Sequence, residues 1–139
     1  MYTNADITLY TCWYNPDTRK QEYHRTQIRD IHWYTEQKTN VGDKGLVSAD
    51  LYKLRIPDSA VVQDDRKYIE AMEYRGLAAD EVSGYWTINN GDLFIKGIIH
   101  DEIEKLSDLT LKYTNVGRIN SFSDNRQGLN PHIRVGGAS

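Results

Sequence analysis

Apolar and polar residues alternate at period two over most of this chain. Residues 6–14 place Ile7, Leu9, Thr11 and Trp13 on one face and Thr8, Tyr10, Cys12 and Tyr14 on the other, and Asn15-Pro16-Asp17-Thr18 ends the run as a turn. Residues 22–35 are β-prone as well, but Ile28 falls on even parity while Ile31 and Trp33 fall on odd. A bulge or corner near Arg29-Asp30 would return all three to the core side. Residues 50–56 alternate cleanly, Tyr52, Leu54 and Ile56 against Leu51, Lys53 and Arg55, and Pro57 terminates the strand.

The C-terminal part repeats the theme. In residues 85–97 the turn dipeptide Asn90-Gly91 separates two β-prone arms, which predicts a hairpin with both arms as strands. Residues 101–106, acidic first and with Lys105 later, fit a single helical turn whose early carboxylates complement the dipole. Residues 110–114 and 118–123 return to β. Two short runs, 119–123 and 132–135, flank a loop in which Asp124, Asn125, Gly128, Asn130 and Pro131 all favour turning, so the chain closes on a hairpin.

Two stretches break the alternation. Residues 36–48 hold Gly42, Gly45, Asn40 and Asp43 with only Val41 and Leu46 as apolar anchors, and read as a long loop of the kind that often carries function. Residues 58–84 form an irregular excursion. Within it, 66–74 can be written as a helical turn, with Tyr68 and Met72 four apart, or as a strand; the strand is preferred. The expectation is an all-β single domain spanning 1–139, with no helix longer than about three turns.

Composition narrows the function. At 139 residues there is room for one core. A hydrophobic content of 39% is low for a compact enzyme, but ten Tyr and three Trp supply rigid amphipathic rings suited to half-buried strands and contact surfaces. A net charge of −3 argues against binding nucleic acid by neutralising phosphates. One cysteine, Cys12, excludes an internal disulfide and fits a reducing compartment. Neither a signal peptide nor an apolar run of bilayer length is visible, which points to assembly in the cytoplasm and away from the membrane.

Little in the chain speaks for a reaction. His24, His32, His100 and His132 are scattered and none has metal-ligand spacing to another His or a Cys, so no metal is assigned. The pairs Asp64-Asp65, Asp80-Glu81 and Asp101-Glu102 sit in turn-like settings where acids are solvated, and the glycine-rich segments match no nucleotide-binding pattern. No cofactor is implied, Cys12 reads as a buried structural thiol, and the chain is read as not an enzyme.

Several segments together resemble the minor structural proteins in the neck of long-tailed bacteriophages and prophages, the head-completion or stopper class. They are an opening strand I-T-L-Y, a bulged basic strand ending Ile31-His32-Trp33, the strand D-L-Y-K-L-R-I-P after a long loop, G-D-L-F-I-K-G at residues 91–97, and S-F-S-D-N-R-Q-G…H-I-R-V-G-G at 121–137. The last is similar to the D-N-R-x-G loop and closing V-x-G strand of phage minor capsid proteins. This resemblance implies a small β-barrel of about seven strands, a virion protein that assembles as a homo-oligomeric ring in the bacterial host cytoplasm. The ring would sit between the portal and adaptor complex and the tail, closing the DNA channel and docking the tail. Packaged DNA would pass without sequence-specific binding, since an acidic lumen does not grip phosphates. By the same resemblance Asn40, Val41, Gly42, Asp43, Lys44 and Gly45 would form a channel-facing loop, and Trp86, Asp124, Asn125, Arg126 and His132 an interface. A tail terminator or tail-completion role, or a carbohydrate-binding β-module stacking sugars on Tyr and Trp, are the alternatives.

Overall fold

The computed structural model describes residues 3–36, 52–113, 116–127 and 131–138. The expected loop with Asn40, Val41, Gly42, Asp43, Lys44 and Gly45 lies outside these residues. Two long strands open the fold, β1 (Ala5–Asn15) and β2 (Lys20–Glu36), paired antiparallel. Between them Asn15 Oδ1 accepts from the amides of Asp17 and Thr18 at 2.9 and 3.4 Å, so the side chain shapes the turn. The remaining staves are β3 (Tyr52–Pro57), β7 (Leu93–Lys96), β8 (Val116–Asp124) and β9 (His132–Ala138). A two-residue strand β4 (Val61–Val62) rides on the edge of β2, and β5 (Lys67–Tyr68) pairs in parallel with β6 (Tyr85–Trp86).

Strand order β1-β7-β8-β9-β3-β2-β4, together with the direct β1–β2 pairing, bends the sheet into a ring. The all-β expectation holds, and the architecture is a small antiparallel barrel. The bulge expected at Arg29-Asp30 makes that closure possible. Ile7 pairs with Ile28 and Ala5 with Ile31, leaving Arg29 and Asp30 opposite Asp6 alone. Asp30 adopts φ 63°, a left-handed conformation that Asp tolerates better than most residues, and its amide donates to Asp6 Oδ1 at 3.0 Å. The extra residue flips the side-chain parity, so Ile28, Ile31 and Trp33 all reach the interior, and it turns the end of β2 away from β1 toward β3.

The interior holds Ile7, Leu9, Ile28, Leu54, Ile119 and Val135 around Phe94, with Trp86 of β6 and Ile88 of the link before β7 joining them. Phe94 packs against Trp33 and Tyr52, with ring centroids 5.9 and 6.0 Å away. It is admitted by two glycines. A Cβ on Gly117 would lie 2.5 Å from Phe94 Cζ, and one on Gly137 2.6 Å from Cε1. The middle of β1 is buried on both faces, because Ile103 and Leu109 cover Tyr10 together with Leu93 and Ile95 of the neighbouring β7. Tyr10 donates to the Asp101 carbonyl at 2.7 Å, and burial pushes its pKa up to about 12.

Three local expectations give way. The Asn90-Gly91 turn is present, with Gly91 at φ 95°, but its arms do not pair with each other. β7 has both edges occupied, by β1 and β8, so β6 finds its partner in β5 instead. Residues 66–74 are not one strand: after β5 the chain forms α1 (Ala71–Arg75), which buries Tyr74 against Trp13 and Val82 while Met72 stays 79% exposed. The helical turn expected at 101–106 begins later, as α2 (Leu106–Thr110), so residues 110–113 are its end and a turn rather than a strand. Asp101 is spent on Lys112 Nζ (2.6 Å) and Tyr113 Oη (3.0 Å), while Asp108 accepts from the Glu104 and Lys105 amides at 3.0 and 3.3 Å.

One buried acid stands out. Asp92 is 6% exposed; its Oδ1 accepts from the Cys12 amide at 3.4 Å, and Oδ2 has no hydrogen-bond partner among the described residues. Burial lifts its carboxyl from 3.8 to about 7.

Two outcomes follow for the purified domain. Gly117→Ala and Gly137→Ala should each cost about 1–3 kcal/mol by overpacking against Phe94. Adding Phe94→Leu should relieve part of that cost, so strictly additive denaturant melts would contradict the cradle. Because folding raises the pKa of Asp92, the folded state binds the extra proton between roughly pH 4 and 7, and stability falls as pH rises through that window before levelling off. Asp92→Asn should flatten this decline and be the more stable protein at pH 8, by up to a few kcal/mol; parallel stability–pH curves for the two proteins would refute it.

Candidate functional site

At one rim of the barrel the end of β3, the β4 edge, β5, β6 and the mouth of the β8–β9 hairpin enclose a crevice of about 490 Å³. Its floor is apolar, with Trp86 and Ile133 both buried. The Tyr68 ring meets Trp86 edge-on, centroids 4.9 Å apart, because the parallel β5–β6 pairing sets these two residues side by side. Burial, and next the Asp124 carboxylate, hold the Tyr68 phenol above its ordinary pKa.

Arg126 roofs the tyrosine, with Cζ 4.8 Å from the ring centroid. A local turn sets its position: the Arg126 amide donates to Asp124 Oδ1 at 3.1 Å, and the guanidinium returns along the same carboxylate, Nε to Oδ1 at 2.8 Å and Nη2 to Oδ2 at 2.7 Å. This fork lowers the Asp124 pKa. Across the crevice stand Asp65 and Arg66. The 3-10 turn Gln63–Asp65 passes through left-handed φ at Asp64 (56°) and Asp65 (52°), and Arg66 anchors it by donating to Arg25 O at 2.8 Å and Thr26 Oγ1 at 3.0 Å. Gln63 Oε1 meanwhile accepts the Gln27 amide at 3.0 Å, which satisfies an edge group of β2 where β4 stops.

The residues expected to form an interface are thereby brought to one rim. Trp86 is floor rather than surface, whereas Asp124 and Arg126 form the half-exposed roof. Asn125 and His132 close the hairpin mouth, the Asn125 amide donating to His132 O at 2.9 Å and Asn125 Nδ2 to Ser123 Oγ at 2.9 Å. Tyr68 and Arg66 join this site although the sequence reading did not select them. Their signal was hidden, since the excursion they belong to has no clear period, and only the parallel pairing to β6 aligns Tyr68 with Trp86.

Chemically the crevice offers aromatic faces and fixed guanidiniums, the means of gripping a polypeptide or another extended ligand. Among the described residues no group of three His, Cys, Asp or Glu is placed to hold a metal ion. The histidines disperse: His24 meets Glu22 at 3.1 Å, His32 lies against Tyr34, and His100 meets Gln27 at 3.2 Å. Cys12 is half-buried rather than buried, and burial with the neighbouring Asp92 carboxylate raises its pKa, which makes it a poor nucleophile.

The fold is that of a single-barrel β-protein with an aromatic and guanidinium-lined crevice at one rim. The chain belongs to a family of unknown function, DUF6751, whose match spans residues 2–138. Neither a curated protein nor a solved structure matches it.

The roof and the floor of the crevice should separate energetically. Arg126→Ala removes a half-exposed ion pair and should change unfolding free energy by less than ~1 kcal/mol. Trp86→Ala removes a buried ring and should cost about 3–5 kcal/mol. Urea melts of the two variants check this, and a comparable loss in both would mean that Arg126 is structural.

Proposed function

We propose that this protein is a structural virion component of the head-to-tail connector of a long-tailed phage or prophage, a ring-forming neck protein of the stopper or head-completion kind. The observation that carries the reading is the placement of the C-terminal hairpin. The segment whose sequence resembles phage minor capsid proteins supplies two staves of the barrel wall, between β7 and β3, and lifts Asp124 and Arg126 to the rim beside Tyr68 and Trp86. One short motif thus serves both closure of the domain and presentation of a contact surface, as a small subunit in a crowded ring requires.

The charge balance supports the same role. A net charge of −3 leaves little means of holding a duplex by phosphate contacts, so a genome could pass through a ring of such subunits. On this reading the portal and adaptor complex contacts one end of the ring and the tail the other. Arg126 and its crevice are the surface offered to one of these neighbours.

Deleting the gene in its genome of origin, followed by particle production and density-gradient separation, tests the assignment. The expected result is tailless heads that have lost DNA, free tails in the same lysate, and recovery of the chain by mass spectrometry from wild-type tailed particles. Arg126→Ala supplied in trans should reduce tail joining although the isolated domain remains folded. Infectious tailed particles that lack the chain altogether would refute the reading.

A further inference from the structure

The barrel carries a cationic face opposite an anionic one. Tyr52, Leu54 and Ile56 point inward, so β3 presents Lys53 and Arg55 outward, and β9 likewise presents Arg134 between the inward Ile133 and Val135. Among the described residues none of these three cations is in an ion pair. Arg55 and Arg134 are direct cross-strand partners, an arrangement of like charges that destabilises an isolated sheet. Arg55 is steadied instead on the Tyr34 ring, 4.5 Å from its centroid. Beside it a groove of about 260 Å³ is bordered by Tyr34, Lys53, Arg134 and Phe122, the last 38% exposed. The domain tolerates an unfavourable charge pair beside an exposed aromatic ring, which is the composition of a surface that meets an anionic partner.

Across the ring of strands, β9 faces β1 and β3 faces β7. There the outer surface is the cover made by residues 99–113, which buries Ile103 and Leu109 inward and leaves Glu102, Glu104 and Asp108 exposed. Glu102 pairs with Arg25 Nη1 at 3.1 Å and Asp108 caps the amides of Glu104 and Lys105, so Glu104 is the acid whose carboxylate has no bonding partner among the described residues. Of the two lysines in this cover, Lys112 is already committed to Asp101 at 2.6 Å.

We infer that these two faces form a head-to-tail contact between copies of this chain, Lys53, Arg55 and Arg134 of one copy meeting Glu102 and Glu104 of the next. The contact is heterologous, and such contacts build rings when the rotation closes. Faces on opposite sides of a barrel turn the line of copies by only a small angle at each step, which suits a ring of many subunits. The inference rests on the ring reading above and gives that ring its seam. The rim crevice lies at the end of the same two strands, β3 and β9, where Ile56 and Ile133 line it one residue from Arg55 and Arg134. A duplex DNA partner fits the cationic face less well, because it would leave the matching anionic cover unused and add to the repulsion of a chain of net charge −3.

Charge exchange tests the seam. Lys53→Glu/Arg134→Glu makes both faces negative, and Glu102→Lys/Glu104→Lys makes both positive. Wild-type protein at high concentration and low salt should self-associate in sedimentation velocity, and a carbodiimide should cross-link Lys53 to Glu102 or Glu104; salt should weaken both. Each double variant alone should lose association, and an equimolar mixture should regain it, since alternating copies restore every seam. Arg134→Glu should also melt no lower than wild type, because it replaces the Arg55–Arg134 repulsion with an attractive cross-strand pair.

Wild-type protein that stays monomeric under these conditions, variants that associate as wild type does, or a mixture that fails to recover would each overturn the contact. So would duplex DNA binding by the wild type that Lys53→Glu/Arg134→Glu abolishes while self-association persists. The two proposals fail separately. Charge-dependent association of a chain absent from tailed particles would sink the neck reading alone, whereas a chain present in particles and indifferent to charge exchange would sink the seam alone.

Discussion

Closure of the barrel depends on one extra residue in β2. A strand that kept strict alternation from Lys20 to Glu36 would send Ile31 and Trp33 to the solvent side once Ile28 pointed inward. The bulge at Arg29-Asp30 repairs the parity and bends the strand, so its first part pairs with β1 and its end with β3. Asp6 holds the bend from both of its ends: its carboxylate receives the Asp30 amide and its carbonyl receives the Gly97 amide at 2.7 Å. The same residue therefore ties the bulge to the exit of β7, on the opposite edge of β1.

The closed barrel is narrow, and its interior is filled by a few large side chains. Phe94 occupies space that two glycines on adjacent strands vacate, and Trp33 and Tyr52 complete an aromatic cluster around it. Such a centre is specific because its members do not substitute freely: any added carbon meets a ring, and any lost ring leaves a void. Asp92 pulls the other way. It is retained in a buried position at the entry to β7, where its backbone pairs with Ile119 and its side chain accepts from Cys12, and burial makes its ionised form costly.

The surfaces divide the labour. The rim gathers aromatic and guanidinium groups held by short-range bonds, so its geometry is set by the domain alone. The two sides of the barrel differ instead in charge: Lys53, Arg55 and Arg134 of β3 and β9 are in no ion pair among the described residues, and Arg55 and Arg134 stand as like-charged cross-strand partners. A small protein with so little interior can still offer several contacts, because every stave has an outer face; those of β1 and β7 are covered by the chain's own connecting segments.

Strand identity and the bulge were legible in the amino-acid order because both are written locally: alternation marks a half-buried strand, and the shift from Ile28 to Ile31 marks the inserted residue. The last hairpin was legible for the same reason, since turn residues separate its two runs. The polar side of residues 50–56, with Lys53 and Arg55, was legible from its alternation, but its union with Arg134 into one face came only when β3 and β9 paired. What no local pattern could reveal was partner choice. Asn90-Gly91 turns the chain whether or not its arms pair, and only the competition for the edges of β7 decided that they do not. In the same way Tyr68 and Trp86, eighteen positions apart in the chain, became one site because a parallel pairing placed them together, a non-local event whose energy lies in packing that exists only once the barrel has closed.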